Sequence, residues 1–236
     1  MHSPWDRPET VASFTRSAPN DILLRFAERE RRRTRTVHAL DLGCGAGRNA
    51  LPLARSGWHV VAADLSWPMI AATASRGRAE HLGGRLEVIL ATMDALPLRA
   101  HSIDLVIAHG IWNLARSAAE FRGAVREAAR VARPGAALFV FTFSRNTLPP
   151  DAEPVPGEPF VFTQFTGQPQ CFLTDAQLVS ELAIAGFAAD PDVPLTEYNR
   201  PRPGTFPTGT VPVIYEATFR LAGGRDGVRG GLAAGP

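Results

Sequence analysis

The chain has 236 residues, 45% of them hydrophobic and 20% charged, with a formal net charge of +2. That length suits one domain with appendages, and the composition excludes a disordered chain, a collagen and a coiled coil. No run reaches about 18 apolar residues, which excludes a membrane-spanning helix, and so small a net charge argues against a dedicated nucleic-acid binder.

Residues 1–35 read as a helical N-terminal cap. Asn20 precedes Ile22, Leu23 and Phe26 at helical spacing and has the chemistry of a helix N-cap. The run Arg29–Arg35 is charged on every side, as a solvated helix end would be; a phosphate or RNA patch is the alternative. From Val37 strands and helices alternate. Val37–Leu42, His59–Ala63, Leu86–Leu90, Ile103–Ala108 and Ala136–Phe143 read as strands. Arg48–Ser56 reads as helix, and Ser66 caps a helix running to about Leu82 with Pro68 in its first turn. Ser117 and Glu120 form a capping box for a helix with Phe121, Ala124, Val125 and Ala128 on its apolar face; Arg133-Pro134-Gly135 ends it. This alternation predicts an α/β fold with a doubly wound, mostly parallel sheet over 36–222.

Residues 144–173 interrupt the rhythm with six prolines and no helical period. Their aromatic tip, Phe160-Val161-Phe162-Thr163-Gln164-Phe165, is read as a lid or wall over a site. Thr174 and Gln177 form a second capping box, Gly186 ends that helix, and Val213–Leu221 is a last strand. Residues 192–211 are a Pro-rich connection, and 223–236 read as a flexible Gly-rich tail.

The chemistry concentrates in Ala39-Leu40-Asp41-Leu42-Gly43-Cys44-Gly45-Ala46-Gly47-Arg48-Asn49. A buried strand ends beside an acid, and a glycine loop opens a helix whose free N–H groups suit a negative group. About twenty residues later Asp64 ends the next strand, where an acid can accept from both ribose hydroxyls. A nicotinamide site would carry a third glycine where Arg48 stands. Asp41 would repel a pyrophosphate but suits a ligand bearing an ammonium. Every basic residue is Arg, which removes a lysine nucleophile, a lysine Schiff base and the P-loop lysine of Walker-type ATPases.

The run D-L-G-C-G-A-G resembles motif I of the class I S-adenosylmethionine-dependent methyltransferases. The resemblance covers roughly 36–143. It includes Asp64, Ala91-Thr92-Met93-Asp94-Ala95-Leu96-Pro97 after the third strand, Ser102-Ile103-Asp104-Leu105-Val106 in the fourth, and Val131-Ala132-Arg133-Pro134-Gly135-Ala136 before the fifth. It implies a Rossmann-like seven-stranded sheet with helices on both faces, and S-adenosylmethionine as cofactor with S-adenosylhomocysteine as product. By the same resemblance Gly43, Gly45 and Gly47 line the methionine end, and Asp41 orients the ammonium. Asp64 binds the ribose, Leu65 and Met93 pack on the adenine, and Asp94 accepts from its amino group. Cys44, Asn49, Met69 and Ala95 complete the cofactor site, Cys44 as a small packing residue rather than a nucleophile.

His109 follows the fourth strand, where the family faces the transferring methyl. It is the candidate general base or substrate anchor and a cofactor contact. Trp112 and Asn113 are candidate substrate contacts beside it. No Asn/Asp-Pro-Pro-aromatic motif follows that strand, no Pro-Cys dipeptide occurs, and no grouped Asp/Asn cluster suggests a metal. A small-molecule substrate remains, with Trp5, Phe14, Arg16, Phe162, Gln164, Phe165 and Tyr215 as further pocket candidates. An RNA or protein methyltransferase, a non-catalytic binding module and, more distantly, a nicotinamide oxidoreductase are the competing readings. Two cysteines are too few for a disulfide framework or a four-cysteine zinc site. With no secretory signal in MHSPWDRPET, a reducing cytoplasm is expected.

Overall fold

Five apolar segments lie side by side and parallel: β1 (His38–Leu42), β2 (His59–Asp64), β3 (Leu86–Leu90), β4 (Ile103–His109) and β5 (Ala132–Phe143), in the order β3-β2-β1-β4-β5. The computed structural model describes residues 3–34, 37–200 and 211–223. The expectations for Arg35, for 201–210 and for the tail beyond Gly223 lie outside them. Two short strands, β6 (Val161–Phe162) and β7 (Gln170–Cys171), pair apart from this sheet. Then β8 (Phe187–Ala189), β9 (Thr196–Tyr198) and β10 (Ile214–Leu221) complete it. β10 runs antiparallel beside β5.

The strand count exceeds the expected seven by one, for a local reason. β8 pairs with Phe219–Leu221 and β9 with Ile214–Glu216, so two short segments share one edge position against β10. Pro191 and Pro194 lie between them. Without an N–H, neither can continue a ladder.

The N-terminal cap is two helices, α1 (Pro8–Arg16) and α2 (Asp21–Arg33). Asn20 caps α2, its Oδ1 accepting from the Leu23 amide at 2.9 Å. The remaining helices are α3 (Ala50–Arg55), α4 (Trp67–Ala79), α5 (Ala118–Val131) and α6 (Asp175–Ile184). Ser66 and Ser117 cap α4 and α5, and Thr174 with Gln177 forms the full capping box of α6. Glu120 differs from expectation: its carboxylate reaches past Ser117 to the Arg116 amide at 2.8 Å. β5 begins at Ala132, four residues early, because Ala132 pairs with Ile103 before a register shift.

Helices cover both faces. On one, Leu40, Val106, Ala108, Leu138 and Val140 meet Phe121, Ala124, Val125 and Ala128 of α5. On the other, Ala39, Leu105, Ile107, Ala137 and Phe139 meet Leu23, Phe26 and Ala27 of α2 and Leu53 of α3. In the described part of the basic run Arg31 and Arg32 pair with Glu28 and Arg33 with Glu30 and Asp192, while Arg29 lies over the Phe26 ring. Among the described residues no helix is long and apolar enough to cross a membrane.

The insert 144–173 folds on itself. Phe172 is fully buried, with ring centroids of Phe143, Phe162 and Phe165 at 5.4, 6.1 and 5.8 Å. Phe160 joins the main core against Phe121. We expect Phe172→Ala to cost about 3–5 kcal/mol, the usual range for a buried phenylalanine, measured by urea unfolding. A loss under about 1 kcal/mol would mean the insert's core does not contribute to folding.

Candidate functional site

The strand order reverses at β1, whose neighbours β2 and β4 lead away in opposite directions. Such a switch point opens a crevice at the C-terminal strand ends. A cavity of about 690 Å³ occupies it. Its floor is Leu42, Gly43 and Gly45, and one wall is Asp64, Leu65, Ser66 and Met69. Ala91 to Asp94 and His109 to Ile111 form further walls, with Leu114, Arg116 and Glu120 beyond, and Ser3, Trp5, Asp6 and Phe14 cover it.

The glycine loop leaves no room for side chains. Gly43 and Gly45 have φ of +64° and +53°. A Cβ on Gly43 would lie 2.7 Å from Ile111 Cδ1, and one on Gly45 2.9 Å from the Phe14 ring. The loop is tied to β2 and α4: the Cys44 amide donates to Ala63 O at 3.0 Å and the Thr73 hydroxyl to Gly45 O at 2.8 Å. Asp64 accepts the Gly45 amide on Oδ2 and the Ser66 amide on Oδ1, each at 2.8 Å. Those two bonds fix the carboxylate and leave each oxygen lone-pair capacity for a ligand.

Asp41 lies beneath the loop, and its Oδ2 has no partner. Burial pushes its carboxyl up to about 7, helped by the Asp64 charge and opposed by Arg48 and the Ala50 amide. Arg48 turns inward toward Asp41 and His109, and burial lowers its pKa. His109 stacks on Phe141 with ring centroids 4.2 Å apart. Asn20 Nδ2 is 3.2 Å from its Nε2, and Arg48 Nη2 is 3.1–3.2 Å from both ring nitrogens. Burial and then the Arg48 charge push His109 down to about 3. The imidazole is therefore neutral near pH 7, with burial and the Arg48 charge both opposing its protonation.

Of the sequence candidates, Gly43, Gly45, Asp64, Leu65, Met69, Met93, Asp94, His109, Trp5 and Phe14 line the cavity. Asp41 and Asn49 lie behind the loop, Asn49 accepting the Asn20 amide at 3.0 Å. Gly47 faces Leu51 and Thr73, and the buried Cys44 thiol is pushed up and inert. Ala95 turns back on Thr92. Seven substrate candidates do not line the cavity. Trp112 and Asn113 are buried, Trp112 edge-on to Phe121, and Tyr215 sits in the α5-side core. Phe162 and Phe165 are spent in the insert's own core, exposed Gln164 bonds Glu153 O, and Arg16 is exposed at the end of α1. Sequence reading missed Asp6, Ser66, Ile111, Arg116 and Glu120. Ser66 and Glu120 were legible only as caps, yet a cap just beyond a strand's C-terminal end faces this crevice.

Folding holds His109 neutral while the unfolded chain binds a proton below about 6.5. This group's contribution is fully present above that value and is lost as the pH falls toward 3. We expect the His109 ring signals in an NMR titration to stay flat from about pH 5 to 8; a midpoint near 6.5 would contradict the assignment.

A sequence profile described as a methyltransferase domain matches residues 40–140. Demethylmenaquinone methyltransferase of Corynebacterium urealyticum is 35% identical over 149 residues, 61% of this chain. The chain spans only 57% of that relative's length. A methyltransferase structure from Methanosarcina mazei superposes with a TM-score of 0.66 at 20% identity, covering 88% of this chain and all of that one. A Burkholderia thailandensis 1,6-didemethyltoxoflavin-N1-methyltransferase, solved with bound 1,6-didemethyltoxoflavin and S-adenosylhomocysteine, gives 0.61 at 18%, covering 94% and 93%. At those identities the structures speak for the fold.

Proposed function

We infer that this chain is a class I S-adenosylmethionine-dependent methyltransferase, in keeping with the methyltransferase profile and relative it resembles, and that it transfers a methyl group from that cofactor to a small-molecule nucleophile. The observation carrying this reading is the pairing of two acids with the glycine cradle. Asp64 is held by two amides with capacity to spare, and Asp41 keeps an orphaned oxygen beneath the loop. The residues fit the cofactor. Gly43 and Gly45 keep the floor clear of side chains where its methionine end would lie, and Asp41 supplies the negative charge its ammonium needs. Asp64 would accept from the ribose hydroxyls, Leu65 and Met93 would flank the adenine, and Asp94 would take its amino group.

When bound, the cofactor supplies a methyl already activated on a sulfonium. The chain's contribution is then alignment and exclusion of water, effects that reach about 7–11 kcal/mol at the upper end. Trp5, Phe14, Ile111 and Leu114 give the remaining cavity an apolar lining. That lining supports a flat, apolar acceptor, in keeping with the quinone named for the corynebacterial relative. His109 cannot easily take a proton, so the site favours an acceptor that ionises before it binds, such as an acidic phenol or hydroxyquinone. Arg116 at the cavity wall would face such an anion. Arg31, Arg32 and Arg33 are paired with acids, which lends no support to an RNA substrate.

Calorimetric titration with S-adenosylmethionine, S-adenosylhomocysteine and NADH tests this. The wild type should bind both adenosyl ligands at micromolar level and not NADH. Asp64→Ala should lose about 2–4 kcal/mol of binding, two charge-assisted hydrogen bonds' worth. Methyl-group mass gain across phenols and hydroxyquinones then identifies the acceptor. NADH binding without adenosyl binding would overturn the proposal.

A further inference from the structure

The structure assigns to Asn20 a role beyond capping α2: we propose that it is a positioning residue that pins the N-terminal cover over the cofactor cavity and fixes His109 as a neutral wall, an inference that rests on the methyltransferase reading. Four polar groups of this residue are engaged. Its carbonyl and Oδ1 accept from Leu24 and Leu23 within α2. Its amide donates to Asn49 Oδ1 behind the glycine loop at 3.0 Å. Its Nδ2 donates to Glu216 Oε1 on β10 and lies 3.2 Å from His109 Nε2 at the end of β4. One asparagine thus joins the cap to the loop and to two strands.

The cover needs such a pin. Residues Pro4–Asp6 and α1 contain no fully buried residue, so apolar burial holds them weakly. Yet Trp5, Asp6 and Phe14 wall the cavity. At the far end the Ser66 hydroxyl donates to Asp6 Oδ1 at 2.7 Å, and in the middle the Phe14 ring rests on Gly45. Asn20 anchors the near end, immediately after the Ser17–Pro19 link.

The same bonds select a state of His109. An amide Nδ2 can only donate, so the bond requires Nε2 to be an unprotonated acceptor. The groups facing the ring are Asn20 from α2, Arg48 from the loop and Phe141 from β5. Glu216 of β10 is reached through Asn20, and Asp41 of β1 lies behind Arg48. Without the amide, Nε2 would keep only its Arg48 neighbour, and the ring would lose one of the contacts that fix its orientation.

Asn20→Ser and Asn20→Asp separate this role from capping, because Ser and Asp cap helices as well as Asn does but neither can donate as the amide does to both Glu216 and His109. The chain has no lysine, so trypsin cuts only after arginine. Within the cover, Arg7 precedes Pro8 and is a poor site, which leaves the Arg16–Ser17 bond as the reporter. We expect both variants to be cut there on the order of tenfold faster than wild type, since cleavage follows the open population. S-adenosylhomocysteine should bind on the order of tenfold more weakly and protect that bond less. In 15N spectra the His109 Nε2 signal should leave its acceptor position in Asn20→Asp. Asn20→Ser serves if Asn20→Asp does not fold. A capping role alone predicts wild-type cleavage and affinity in the uncharged Asn20→Ser, and that result would overturn the proposal. If the wild type binds no adenosyl ligand, the methyltransferase reading fails, while ligand-free cleavage at Arg16 still decides the role of Asn20.

Discussion

The site is organised by one costly burial, that of Asp41 at the end of the first strand. A carboxylate without water requires compensating charge or a proton. Here Arg48 and the Ala50 amide offset part of the cost, and the carboxyl is still pushed from 3.8 to about 7. Between those values the folded chain keeps a proton that the unfolded chain has lost, so Asp41 destabilises the fold increasingly as the pH rises through that window. Evolution of a stable core alone would favour an apolar residue there. A cationic ligand beside Asp41 would relieve the cost.

The other features follow from that arrangement. Arg48 is drawn inward by Asp41, and its charge, added to burial, holds the neighbouring imidazole neutral. A neutral His109 can accept from Asn20, and Asn20 fastens the cover that shields the cavity. The crevice exists because the sheet is wound in both directions from β1, and its floor is clear because only glycine tolerates the loop's left-handed turns against Ile111 and Phe14. In the proposed reaction such a site would contribute by placing reactants and removing water.

Features encoded by neighbouring residues were legible in the sequence. The strand–glycine–helix run, the acid ending the next strand and the caps at Asn20, Ser66, Ser117 and Thr174 each depend on local backbone chemistry, and the structure has them. Features encoded by distant partners were not. Asn20 meets His109 and Glu216 across 89 and 196 residues, and no spacing rule announces that. Trp112 and the aromatic insert misled for the same reason. Large aromatic rings next to a site have the composition of a pocket wall, but Trp112 faces Phe121 and the insert's rings face one another. The break between β8 and β9 was written in Pro191 and Pro194 but could be interpreted only once the edge of the sheet was known.

The most direct test is calorimetry of S-adenosylmethionine binding between about pH 5.5 and 7, below and through the Asp41 transition, in two buffers of different ionisation enthalpy. Binding a cation beside Asp41 should displace its proton. Wild type should release a fraction of a proton on binding and gain affinity as the pH rises, and Asp41→Asn should show neither response beyond the cofactor's own titration. Proton exchange and pH dependence identical in the two proteins would contradict the account, because Asp41 would then have no contact with the ligand's charge.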